Sequence, residues 1–113
     1  MKEKILVVDD EPLILNTINR TLIKKGYKVR TSPDAKSFIK ELERETADLL
    51  IMDINLGQTS SRSLVNRIRE IAPQAKLLFI SGGAPEADVE HFLEKPFDIE
   101  ELRLIVRKIL DSE

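Results

Sequence analysis

The sequence predicts a doubly wound α/β fold, a five-stranded parallel sheet with helices on both faces. Three observations point there. Two apolar runs, Ile5-Leu6-Val7-Val8 and Leu49-Leu50-Ile51-Met52, show no polar alternation, as strands covered on both faces do. Strand-like and helix-like stretches alternate along the chain, and right-handed helical crossovers place helices on either side of one sheet. Each apolar run closes on acid, Asp9-Asp10 after the first and Asp53 after the second. The C-terminal edge of an open α/β sheet is where such folds bind ligands.

Taken in order, Lys4–Val8 is the first strand. Glu11-Pro12 opens a helix, with proline where a missing N–H costs nothing. Leu15, Ile18 and Leu22 recur at helical spacing, and Gly26 ends the helix in the left-handed conformation. Tyr27–Thr31 reads as a short strand, and Ser32-Pro33 starts a helix whose apolar face is Ala35, Phe38, Ile39 and Leu42. Asp48–Met52 is the third strand, followed by a polar loop, Asn55–Ser60. Leu64, Val65, Ile68 and Ile71 mark the third helix, stopped by Pro73. Lys76–Ile80 is the fourth strand and His91–Glu94 the fifth. Asp98 caps a last helix carrying Ile99, Leu102, Ile105, Val106 and Ile109. Between the fourth and fifth strands only Gly82–Glu90 remain. That is short for a parallel crossover, which usually takes roughly ten or more residues. A mostly extended segment with at most one helical turn is expected there.

The length suits one domain, residues 1–113, with a real core. A net charge of -2 offers no broad basic field for nucleic acid, and so no direct nucleic-acid binding is expected. The absence of cysteine excludes a disulfide framework and thiolate zinc, and a single histidine, His91, excludes a multi-histidine metal site. His91 reads as a surface strand residue, and Arg62, Arg67 and Arg69 as a solvated helix face. No apolar stretch is long enough to span a membrane, and Met1-Lys2-Glu3-Lys4 leads directly into a strand. A cytoplasmic location without membrane partners is therefore expected.

If the first and third strands are parallel neighbours, Asp9, Asp10 and Asp53 crowd at one edge. Such a cluster repels itself unless a cation or a lysine joins it. The fourth and fifth strands end on Ser81 and on Lys95-Pro96. Taken singly, each has an ordinary reading. An Asp after a strand is commonly a cap or turn residue, Ser81 before two glycines can be a turn residue, and Lys95 can be a solvated surface lysine. Together, at four strand ends, they suggest a divalent-metal site with chemistry at Asp53.

Those four segments are Val7-Val8-Asp9-Asp10-Glu11-Pro12, Leu50-Ile51-Met52-Asp53-Ile54-Asn55, Phe79-Ile80-Ser81-Gly82 and Phe92-Leu93-Glu94-Lys95-Pro96-Phe97. In this order the chain resembles, over essentially its whole length, a response-regulator receiver domain of two-component signalling. The resemblance implies a flavodoxin-like strand order 2-1-3-4-5 with the fourth helix reduced or missing. It implies that Asp53 accepts a phosphoryl group from a sensor histidine kinase, a phosphotransfer protein or a small phosphodonor. It implies Mg²⁺ held by Asp10 directly, by Asp9 through water, by Asp53 and by the backbone carbonyl of Asn55. Ser81 and Lys95 would bind the other phosphoryl oxygens, the Lys95–Pro96 bond would be cis, and Ser81 and Phe92 would form the conformational switch. A half-buried strand aromatic is the plain alternative for Phe92. Such a protein is no enzyme beyond promoting its own phosphorylation and dephosphorylation, and it signals through protein contacts, a second copy of the chain among the candidate partners.

The chain also departs from the family's pattern. Fourteen positions separate Ser81 from Lys95, several fewer than is usual, and the shortfall falls on the fourth helix. Gly57 stands where proline is common and Ser61 where glycine is common. With no effector segment following Glu113, the domain is expected to act alone or to be cut from a longer chain. Two rival readings follow. One is a receiver-like scaffold that binds partners without phosphorylation, favoured by the reduced fourth helix. The other is a Mg²⁺-dependent phosphatase with an aspartyl-phosphate intermediate, disfavoured because Asn55 stands where its second acid belongs.

Overall fold

The computed structural model describes residues 2–56, 61–83 and 90–112. Its elements are β1 (Lys4–Val8), α1 (Pro12–Lys24), β2 (Lys28–Ser32), α2 (Ala35–Arg44), β3 (Leu49–Asp53), α3 (Ser61–Ile71), β4 (Lys76–Ser81), β5 (Phe92–Glu94) and α4 (Ile99–Asp111). All strand pairings are parallel, in the order β2-β1-β3-β4-β5.

Successive side chains of a strand point to opposite faces, and here both faces are covered. Leu6, Val8, Leu50, Met52, Leu77 and Phe79 point to one side, where Phe38 and Leu42 of α2 and Leu64 and Ile68 of α3 meet them. Ile5, Val7, Leu49, Ile51, Leu78 and Ile80 point to the other, against Ile18 and Leu22 of α1 and Leu102, Val106 and Ile109 of α4. The two unbroken apolar runs therefore serve two separate cores, and this is why neither alternates.

The helix ends follow their local chemistry. Gly26 has φ +95°, and the chain turns there as the N–H groups of Gly26 and Tyr27 return to the carbonyls of Ile23 and Leu22. That bond draws Tyr27 into the helix terminus, so β2 starts one residue later than expected, at Lys28. The second helix starts at Ala35 and not at Ser32-Pro33, because Asp34 is its cap and accepts from the Ser37 N–H at 2.8 Å. β5 starts at Phe92, with His91 half-buried just before it. β3 and β4 each run one residue further than expected, to Asp53 and Ser81, because Asp53 pairs with Ile80 and Ser81 with Glu94. α3 is not simply a solvated face at its arginines: Arg67 reaches Glu43 on α2 at 2.9 Å, and Arg69 donates to the Ala75 carbonyl at 3.0 Å. The short crossover expected at Gly82–Glu90 falls mostly on residues 84–89, and Gly57 also lies outside the described residues.

Asp98 begins α4 with a reciprocal capping box. Its carboxylate accepts the Glu101 N–H at 2.8 Å, while Glu101 accepts the Asp98 N–H at 3.1 Å. Asp98→Ala removes the cap, and a loss of about 1 kcal/mol is expected, read as a melting temperature several degrees lower. An unchanged melting temperature would show that the second bond, from the residue-98 N–H to Glu101, suffices.

Candidate functional site

The register of the sheet assembles the site. β1 pairs β3 from Ile5–Leu49 to Val8–Met52, so Asp9 and Asp53, each the next residue along, emerge side by side. β4 lies on the other side of β3 and brings Ser81 to the same edge. Lys95 follows β5, and its N–H donates to the Ser81 carbonyl at 2.7 Å. The Lys95–Pro96 bond is cis, as the resemblance implied.

One ammonium group stands at the centre. Lys95 Nζ lies 2.9 Å from Glu11 Oε1, 3.0 Å from Asp9 Oδ2 and 3.1 Å from Asp53 Oδ2. Its side chain is only 13% exposed, Asp53 is almost wholly buried and Asp9 is completely buried. Desolvation opposes the lysine's charge, but the hydrogen bonds to Glu11 and Asp53 and the Asp9 carboxylate beside it outweigh that and hold its pKa above the ordinary value. Burial pushes the Asp9 carboxyl up, against the opposing pull of the Glu11 N–H and of Lys95.

The carboxylates are held by their own backbone. Asp9 Oδ1 accepts the Glu11 N–H at 2.8 Å, and Asp53 Oδ1 accepts the Asn55 N–H at 2.9 Å. Each of these Asx turns fixes one oxygen and leaves the other facing the pocket. Asp9 Oδ2 has the Lys95 charge nearby but no well-directed hydrogen bond, although it is buried. Asp10 is exposed at the rim. Carboxylate oxygens of Asp9, Asp10, Glu11 and Asp53 all lie within 4.8 Å of one another. This all-oxygen set suits a hard divalent cation such as Mg²⁺, and the under-bonded Asp9 oxygen is the kind of donor a cation satisfies.

Of the residues expected from sequence, Asp9, Asp10, Asp53 and Lys95 converge on this pocket, with Asn55 bound to its Asp53 side. Ser81 is buried, and its hydroxyl accepts the Gly83 N–H at 3.2 Å. Phe92 is half-buried and packs on the α2–α3 side of the sheet, paired with Phe79. Sequence reasoning missed Glu11. The signal was there in the third acid of Asp9-Asp10-Glu11, but it was read only as the start of a helix.

A family model described as the response regulator receiver domain matches residues 5–107. The curated relatives include the DNA-binding transcriptional regulator NtrC of Azospirillum brasilense, 29% identical over 96% of this chain and 24% of the relative. They also include the alkaline phosphatase synthesis transcriptional regulatory protein PhoP of Bacillus subtilis, 29% identical over 97% of this chain and 49% of the relative. The chain thus spans about a quarter to a half of these relatives' length. Among solved structures, a response regulator from Thermotoga maritima matches with a TM-score of 0.88 at 27% identity, covering 99% of this chain and 100% of that one. A CheY-like receiver domain protein from Methanospirillum hungatei JF-1 reaches a TM-score of 0.90 at 24% identity, covering 98% of this chain and 95% of that one.

Proposed function

Because the chain belongs to the response regulator receiver domain family, a family of signalling modules, we propose that it accepts a phosphoryl group on Asp53. The observation that carries this reading is the buried Asp53 carboxylate beside Lys95 Nζ, 3.1 Å away, in a pocket of further acids. An Asp53 oxygen attacks phosphorus, the bond from phosphorus to the donor's leaving atom breaks, and the leaving group departs with that electron pair. Such transfer needs positioning and charge neutralisation more than covalent help. Lys95 supplies a fixed positive charge for the phosphoryl oxygens, and the Ser81 hydroxyl offers a donor once it turns toward them. The Asn55 N–H holds one Asp53 oxygen, which leaves the other to react.

Asp9, Asp10, Asp53 and the Asn55 carbonyl would hold Mg²⁺, while Glu11, beside them, keeps its side chain on Lys95. When bound, the ion would add positive charge to the pocket and relieve the repulsion among the acids. The expected result of a Mg²⁺ titration is a rise in melting temperature through binding to the folded state, largely lost in Asp10→Ala. A wild-type melting curve indifferent to Mg²⁺ would remove the metal from this reading.

A sensor histidine kinase or phosphotransfer protein is the proposed donor, with small phosphodonors as substitutes. Ser81 and Phe92 are proposed to carry the change onward to protein partners, among them a second copy of the chain. Nucleic acid is not a proposed ligand of this domain, whose net charge is -2. Among the described residues no helix is long and apolar enough to cross a membrane. Incubation with acetyl phosphate and Mg²⁺, followed by intact mass, tests the proposal. A gain of one phosphoryl group supports it, and an unchanged mass favours a scaffold that works without phosphate.

A further inference from the structure

Glu11 occupies the N-cap of α1, yet its side chain makes no capping hydrogen bond. Serine, threonine, aspartate and asparagine are the usual residues there because their short side chains reach the first-turn N–H groups. The Glu11 backbone still does its local work, with its N–H on Asp9 Oδ1 and its carbonyl accepting the Leu15 N–H at 3.1 Å. The longer side chain goes elsewhere, to Lys95 Nζ at 2.9 Å, across 84 positions of sequence. Although the Glu11 side chain is 58% exposed, it makes the shortest of the three ion pairs to that ammonium.

We propose that Glu11 is a positioning residue for Lys95, an anchor outside the reaction that keeps the ammonium at the pocket when its other partners are taken. This rests on the reading of Asp53 as phosphoacceptor. An ammonium has three protons and no acceptor. In the described state its three neighbours are Glu11, Asp9 and Asp53. Phosphorylation converts Asp53 to an acyl phosphate and removes the negative charge from its carboxyl oxygens. A cation would claim Asp9 Oδ2, whose contact with Lys95 is not a well-directed hydrogen bond. Glu11 is the partner that neither event consumes. A lysine is a point charge on a flexible four-carbon stem. With Glu11 fixing one N–H, the stem keeps its direction and two N–H groups remain for phosphoryl oxygens.

The test is a set of variants of the 113-residue chain: Glu11→Gln, Glu11→Ala, Lys95→Met and the double variant Glu11→Ala/Lys95→Met. Initial rates of Asp53 phosphorylation by acetyl phosphate with Mg²⁺ are expected to fall in the order wild type, Glu11→Gln, Glu11→Ala. Because the pair is half open to solvent, a loss of about twofold to fivefold for Glu11→Ala is expected. Glu11→Ala should add nothing once Lys95 is methionine, since it acts through the lysine. The Lys95 ¹⁵N ammonium resonance, read without phosphodonor, should lose its protection from exchange in Glu11→Ala and keep part of it in Glu11→Gln. A merely structural cap would leave that resonance unmoved. Equal rates in wild type and Glu11→Ala would overturn the proposal. So would a faster Glu11→Ala, which would make Glu11 a competitor for the lysine, or an equal effect of Glu11→Ala in the Lys95→Met background. If wild type takes no phosphate at all, the reading of Asp53 fails, and the ammonium resonance still decides whether Glu11 holds Lys95.

Discussion

Treated with acetyl phosphate and Mg²⁺, the protein is expected to gain the mass of one phosphoryl group, and Asp53→Ala to gain none. This is the largest effect the site allows, because the variant removes the attacking oxygen itself. Lys95→Ala is expected to retain the nucleophile but lose the fixed cation 3.1 Å from it. Removing one preorganised electrostatic group of this kind costs on the order of a hundredfold in rate. Fragment masses should place the label in the segment carrying Asp53. Label on His91 or on a serine, with Asp53 unmodified, would refute the assignment.

Without metal, Lys95→Met is expected to destabilise the fold at neutral pH by about 3 kcal/mol, the scale of removing one partner from a largely buried ion pair. Methionine preserves the length of the stem, so packing changes little. What remains is a buried Asp9 and a nearly buried Asp53 facing each other with no cation between them. The pH dependence separates this from a packing defect. In wild type the Lys95 pKa is raised by its carboxylate partners, even against desolvation. Its contribution is therefore fully present below the unfolded lysine value of 10.5 and fades as the pH climbs through the higher folded value. The Asp9 pKa is also raised, by burial, so the folded state holds that proton longer, and stability declines as the pH rises from the ordinary value of 3.8 through the folded one. Lys95→Met should lack the alkaline loss and should lose more than wild type on leaving acid. Chemical denaturation across pH measures both. A variant curve parallel to wild type at every pH would mean that the ammonium does not neutralise the pocket.

Much of this was legible in the sequence, for a physical reason in each case. β1 and β3 could be read because a strand buried on both faces has no other composition available to it. Asp9, Asp10 and Asp53 could be read because they close apolar runs at strand ends, and Lys95 because a Lys-Pro pair follows a strand. The boundaries at Lys28 and Ala35 could not, since they depend on where Tyr27 and Asp34 spend their hydrogen bonds, and several local solutions compete there. Nor was the contact of Glu11 with Lys95 legible, although its place in a run of three acids was. A glutamate before a proline is an ordinary helix start, and only the folded sheet brings it to a lysine that follows β5.

Among the described residues β5 is the shortest strand, three residues long, and it sits at the edge of the sheet beside β4. β1 and β3 lie inside the sheet and end in buried residues. Stability is not uniform across such a structure: edges open locally at a fraction of the free energy that interior strands require. Asp9 and Asp53 are thus mounted at the ends of interior strands, the kind of element that opens last. The pocket's cation is mounted just past the short edge strand, tied back by the Lys95 N–H on the Ser81 carbonyl. An opening of that edge would withdraw positive charge from the negative pocket, which couples the electrostatic potential at Asp53 to the pairing of three residues at the rim.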